Sequence, residues 1–219
     1  MTLPARGAHG RAVTIERAPG DPLQSLFCPH KISVLERELL LTGIGGQGVQ
    51  LAAQVVARAA IAEGREVQVF GSYGGMMRGG NTDATLVVGD GPIEAPPTVT
   101  GAWSAVLVHP DFAGPALGRV RPDGVVLYND TLFAAVPLPG ALAVPATALG
   151  GVPVNASLVL VGAYLAVTGL VGIDAAVAAV DDALPPYRRQ HAATCKEALR
   201  TGYDAAPAAR VAAWETVTA

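Results

Sequence analysis

The stretch from Glu38 to Ala62 constrains the fold more than any other part of the chain. Glu38-Leu39-Leu40-Leu41-Thr42 is apolar on both faces and stops at Gly43, which reads as a short strand buried from above and below. Gly43-Ile44-Gly45-Gly46-Gln47-Gly48 follows. Then Val49, Ala52, Ala53, Val56, Ala59 and Ala60 fall on one face of a helix that ends at Gly64, since glycine tolerates the backbone reversal at a helix C-terminus. A strand with two apolar faces needs cover on both, so the pattern implies a sheet enclosed by helices.

The rest of the chain repeats the theme. Glu66–Phe70 alternates like a strand, and 84–88, 105–108, 125–128 and, more weakly, 141–144 are further apolar runs of strand length. After Pro153 the pattern turns helical. Asn155 or Ser157 is placed to cap one helix ending near Gly169, and Asp174 to cap a second running to Leu184. Pro185-Pro186 then punctuates the chain before a third helix over 188–205. The expected fold is α/β, a single doubly wound and largely parallel sheet with helices on both faces, Rossmann-like in outline. Residues 1–36 show no sustained period and read as an N-terminal extension, flexible or partner-bound. Residues 37–206 form the α/β domain, and 207–219 an Ala-rich C-terminal tail in a loose helix.

Composition excludes several classes. The 219 residues are 51% hydrophobic but only 5% aromatic, so the core is built from small aliphatic side chains. A net charge of −3 without a Lys/Arg cluster argues against a nucleic-acid surface, which needs cations to neutralise phosphates. The two cysteines, Cys28 and Cys195, cannot supply the four thiolates of an iron–sulfur cluster. They form no disulfide framework either, so a reducing, cytoplasmic setting is expected. The first 20 residues lack the apolar run of a signal peptide. Residues 156–172 are apolar but interrupted by Ser157, Gly162, Thr168 and Gly169, and are short of the roughly 20 residues of a membrane span. They read as a core helix, and no membrane association is expected.

The glycine turn satisfies GxGxxG between a strand and a helix, where backbone N–H groups can receive an anion. A nicotinamide site also wants a carboxylate at the end of the second strand to hold the ribose. That strand ends instead in Phe70-Gly71-Ser72-Tyr73, and the nearest cation, Arg78, is farther along in a second glycine loop. A tight turn without a ligand of its own remains open beside the anion-binding reading. The second loop, Gly71-Ser72-Tyr73-Gly74-Gly75-Met76-Met77-Arg78-Gly79-Gly80, would lie beside the first on the carboxyl edge of the sheet. There Arg78 could pair with an anionic ligand or with an acidic residue of a partner, while Met76 supplies adaptable apolar surface.

Together, GIGGQG before a helix, SYGGMMRGG, and Leu86-Val87-Val88-Gly89-Asp90-Gly91-Pro92-Ile93-Glu94-Ala95-Pro96 resemble the gamma subunit of 2-oxoacid:ferredoxin oxidoreductases. Asn155 opening an apolar helix that reaches Gly162-Ala163 is similar to that family, as is the closing Ala198-Leu199-Arg200-Thr201-Gly202-Tyr203. The resemblance runs from about Leu39 to Ala205. It implies oxidative decarboxylation of a 2-oxoacid, usually to an acyl-CoA, by a complex in which this chain is inactive alone. It also implies that thiamine diphosphate, Mg and [4Fe-4S] clusters reside on alpha and beta subunits, with a delta or ferredoxin-like subunit as a further candidate partner. The residues carried over as lining a ligand or an interface are Gly43, Gly45, Gly46, Gln47, Gly48, Ser72, Tyr73, Met76, Arg78, Gly79, Gly80 and Asn155, with a coenzyme A contact expected there. The loop reads GGMMRGG where many relatives carry a Pro-Glu or Ala-Gln pair before RGG, so it does not name the 2-oxoacid.

Gly89-Asp90-Gly91 imitates the start of a thiamine-diphosphate motif, but no asparagine follows before Asn129, so it reads as a turn. His9, His30, His109 and His191 are scattered, and no catalytic or metal-ligand spacing emerges.

Overall fold

The central strand β1 (Glu36–Ile44) buries Leu39 and Leu41 on one face and Leu40 on the other, as its continuous apolar run requires. The computed structural model describes residues 34–73, 79–94, 99–133 and 140–214, and the chain from Val34 onward forms one compact unit. The expected extension before residue 34 therefore lies outside the described residues. Around β1 stand β2 (Glu66–Tyr73), β3 (Asn81–Gly89), β4 (Ala102–Leu107), β5 (Val120–Asn129) and β6 (Leu142–Val144), in a six-stranded sheet of order β2-β3-β1-β4-β5-β6.

The sheet is mixed. β1, β4, β5 and β6 are parallel neighbours, whereas β3 lies antiparallel between β1 and β2. The cause is the link over 74–80, which is too short for the crossover of about a dozen residues that a parallel return needs. β2 and β3 therefore close as a hairpin, and β3 takes the place beside β1 that a uniformly parallel sheet would give to β2. Five strands still run one way, so one edge collects their carboxyl ends.

Helical cover is uneven. One face carries α1 (Val49–Ala62), α5 (Ala156–Thr168), α6 (Ile173–Ala183) and α7 (Ala192–Asp204). Among the described residues the other carries short pieces, including α2 (Ala113–Leu117) and α3 (Asp130–Phe133), while α4 (Ala146–Gly150) follows β6. α5 is apolar all round and almost wholly buried, as a helix between a sheet and another helix must be. At about 20 Å it is too short to span a bilayer, and no helix among the described residues is long and apolar enough to do so.

Helix ends correct several expectations. Gly172, not Asp174, caps α6, and Asp174 sits in its first turn. Asn155 makes no side-chain cap to α5, because its amide donates to the Gly150 carbonyl oxygen at 3.1 Å. The third helix begins as a 3₁₀ turn over 186–191 and becomes α-helical only at Ala192. The tail after Ala206 is not helical among its described residues. It runs beside the end of α5, with the Val211 and Ala213 amides donating to the Val167 and Thr168 carbonyls and the Trp214 indole to Leu170 O. Arg37 Nε donates to Ala213 O at 2.6 Å, and the Arg65 guanidinium lies 3.8 Å from the Trp214 ring centroid.

A buried polar contact joins Tyr164 of α5 to Ser104 of β4, hydroxyl to hydroxyl at 2.9 Å, while Ser104 also donates to Glu38 O. Burial pushes the Tyr164 hydroxyl well above the ordinary tyrosine range. The unfolded chain loses that proton near pH ~10, so above this the unfolded state binds fewer protons than the folded one. Stability is therefore full below about pH 10 and falls as the pH rises towards the folded value. Tyr164→Phe is expected to flatten this alkaline decline, read as melting temperature between pH 9 and 11.

Candidate functional site

The glycine turn sits at the carboxyl end of β1 and closes on itself. Gln47 is buried, and its Oε1 accepts the Ile44 amide at 2.9 Å while its own amide donates to Ile44 O at 3.1 Å. Ser157, in the first turn of α5, donates to Gln47 O at 2.7 Å, so the loop is fixed to the helix layer. Gly46 (φ 104°) and Gly48 (φ 82°) occupy the left-handed region, where a side chain is strained. Ser157, foreseen only as a cap, thus holds the loop in place.

The second loop is joined to the first at its distal end. The Gly45 amide donates to Gly80 O at 2.9 Å, and a Cβ on Gly45 would stand 3.6 Å from Gly79 N. The sheet register explains this meeting, because Ile44 pairs with Asn81 at the end of the β1–β3 ladder. Ser72 and Tyr73 are the last residues of β2 and pair with Asp83 and Thr82. Met76 and Arg78 lie outside the described residues. Behind the loops Asp83 is fully engaged: Thr42 Oγ1 donates to it at 2.6 Å and Asn81 Nδ2 at 2.7 Å, while Gln50 Nε2 donates to its carbonyl at 2.8 Å.

This geometry corrects the anion-seat expectation. Of the amides from Gly45 to Gly48, those of Gly45 and Gln47 are already committed within the protein. Gly46 and Gly48 remain as the loop amides with no bond to a described residue.

Beside Gly46 opens a cleft of about 590 Å³. Leu51, Val152, Val154, Leu184 and Cys195 line it with apolar surface, and Asn155, Arg188, His191 and Thr194 add polar groups. It therefore brings Gly46 and Asn155 together with residues from the last helix that carried no sequence signal of a site. The Cys195 thiol is buried, and desolvation raises its pKa, which disfavours the reactive thiolate. His109 is a capping residue: its Nδ1 accepts the Asp111 amide at 3.3 Å. Asp90 of the Gly-Asp-Gly turn accepts the Leu35 amide at 2.8 Å and so secures the start of β1.

Comparison with known proteins identifies the family. The pyruvate ferredoxin/flavodoxin oxidoreductase family model matches residues 38–205. The 2-oxoglutarate synthase subunit KorC of Methanothermobacter thermautotrophicus is 34% identical over 165 residues, covering 69% of this chain and 87% of that one. The crystal structure of the keto/oxoacid ferredoxin oxidoreductase gamma subunit from Geobacter sulfurreducens superposes with a TM-score of 0.63 at 27% identity, covering 78% of this chain and 95% of that one. A 2-oxoglutarate:ferredoxin oxidoreductase from Magnetococcus marinus, solved with 2-oxoglutarate, coenzyme A and succinyl-CoA, shares the fold at 16% identity and a TM-score of 0.65 over 80% of this chain and 33% of that one. The chain belongs to the pyruvate ferredoxin/flavodoxin oxidoreductase family and, within it, to the gamma subunits of 2-oxoacid:ferredoxin oxidoreductases.

Proposed function

We propose that this chain is the non-catalytic gamma subunit of a cytoplasmic complex that oxidatively decarboxylates a 2-oxoacid to an acyl-CoA. In this reading it holds the complex together and lines the entrance used by coenzyme A. The observation that carries the proposal is the Gly45–Gly80 hydrogen bond, which places the end of the second glycine loop beside the first on the edge where open α/β sheets bind ligands.

Cofactor chemistry falls to partner subunits. Two cysteines in the whole chain do not fit an iron–sulfur cluster, and Asp90 is spent on a backbone amide. Thiamine diphosphate with Mg on the alpha and beta subunits would supply the carbanion chemistry, and [4Fe-4S] clusters there or on a delta or ferredoxin-like subunit would take the electrons. This chain would contribute position and charge: the Gly46 and Gly48 amides and Arg78 would receive a phosphate group of coenzyme A. Arg78→Ala in the assembled enzyme is expected to raise KM for coenzyme A about tenfold, the loss of one charge-assisted contact. An unchanged KM with intact assembly would sink the coenzyme A role.

One observation favours a second reading, in which the loops serve assembly alone. Half of the expected loop donors are satisfied internally, as suits a rigid docking edge. Under that reading Arg78→Ala weakens subunit association before it alters coenzyme A affinity.

A further inference from the structure

We infer that the cleft between α7 and the turn over 152–155 receives an apolar side chain flanked by carboxylates, presented by a partner subunit of the oxidoreductase. This rests on the proposed assembly function and adds the place of contact and the chemistry of the partner. Three observations combine. The cleft lining includes apolar Leu51 and the buried Leu184 and Cys195. Its wall exposes Val152 and Val154, at 46% and 41%, with Tyr187 at 71% on the segment that carries the margin. Arg188 and His191 also line it, both exposed and in no ion pair with a described carboxylate.

Neighbouring exposed apolar side chains around a concavity are costly in water and mark contact surfaces. Anchoring side chains that fill such a pocket dominate interface energies, while the surrounding charges choose the partner. Arg188, which lies 5.6 Å from the Tyr187 ring centroid but in no ion pair with a described carboxylate, and exposed Arg189 select for acidic residues around the anchor. A volume of about 590 Å³ accommodates one or two large side chains of a partner segment. The wall is also coupled to the glycine turn, because the Val154 carbonyl lies where a Cβ on Gly48 would fall. A partner seated in the cleft therefore touches the element that sets the loop.

The test uses the full chain, tagged and expressed in its own cells, as wild type, Val154→Asp and the pair Arg188→Glu with Arg189→Glu. Subunits that co-purify are identified by mass spectrometry and thiamine-diphosphate content, and a photo-crosslinker at position 154 reports the contact. The expected result is at least a tenfold loss of co-purifying thiamine-diphosphate subunit for both variants, at wild-type melting temperature, together with a crosslink to another subunit of the complex. If wild type brings its partners and the variants bring them equally, the cleft is overturned while the assembly reading stands. A crosslink only to a second copy, or lost coenzyme A affinity with assembly intact, overturns it in favour of self-association or a ligand pocket. A wild-type chain that purifies alone overturns both.

Discussion

Gly202→Ala is expected to lower the melting temperature by roughly 10 °C, the cost of about 3 kcal/mol in a chain of this size. A Cβ at Gly202 would overlap the Val159 carbonyl, and one at Gly162 would overlap the Leu199 carbonyl. α5 and α7 thus cross with backbone against backbone, closer than side chains permit. Carbonyl groups cannot rotate away as a flexible side chain would, so the added methyl must push the helices apart. That separation reaches the buried contacts of Leu199, Ala198 and Val159. Gly162→Ala should cost a similar amount. Gly114→Ala is the control, since nothing stands within 4 Å of its Cβ position, and it should be neutral or slightly stabilising. Thermal melts of the three variants decide the point: equal melting temperatures for Gly202→Ala and Gly114→Ala would refute the close crossing.

The second large effect is expected at Gly48. Its φ of 82° costs an alanine about 1–2 kcal/mol, and the new Cβ would lie 2.5 Å from Val154 O. Gly46, at φ 104° with open space around its Cβ position, would suffer the backbone strain alone. Gly48→Ala should therefore destabilise by about 3 kcal/mol and Gly46→Ala by about 1–2 kcal/mol. Because Gly48→Ala displaces the wall that carries Val154, it should also reduce assembly more than its loss of stability accounts for. Matched melting temperatures for the two variants would show that the Val154 carbonyl yields freely.

Much of the fold was legible because its elements are locally consistent. The bounds of α1 follow from its 3.6-residue apolar period and from Gly64 beyond it, and β1 from its unbroken apolar run. The hairpin of β2 and β3 was not drawn from the sequence, although the interval over 74–80 is too short for a crossover. The apolar alternation of these strands carries no direction; the sheet is largely parallel as expected, with β3 reversed among the described strands. Capping was less readable: Asn155 and Asp174 are suitable cap residues, but Asn155 is drawn to the Gly150 carbonyl and Gly172 takes the second cap. The tail composition suited a helix, yet tertiary contacts of Trp214 and Ala213 hold it extended.

The glycine loops stood out in sequence because turns with positive φ need glycine, and Gly46 and Gly48 do have it. Their hydrogen-bond economy did not. Nothing local announces that the Gln47 side chain satisfies Ile44, or that Gly80 reaches Gly45 across a strand pairing. Gly162 and Gly202 were recognised as part of a resemblance, and the α5–α7 crossing supplies their physical reason. The cleft was invisible because Leu51, Val154 and Cys195 are distant in sequence and unremarkable one by one.

The most direct test of the account is the native mass and cofactor content of the tagged chain purified anaerobically from its own cells. The chain is expected in a complex with larger subunits that contains thiamine diphosphate, iron and sulfide. A chain that emerges alone and cofactor-free, or holding a nucleotide by itself, would contradict it.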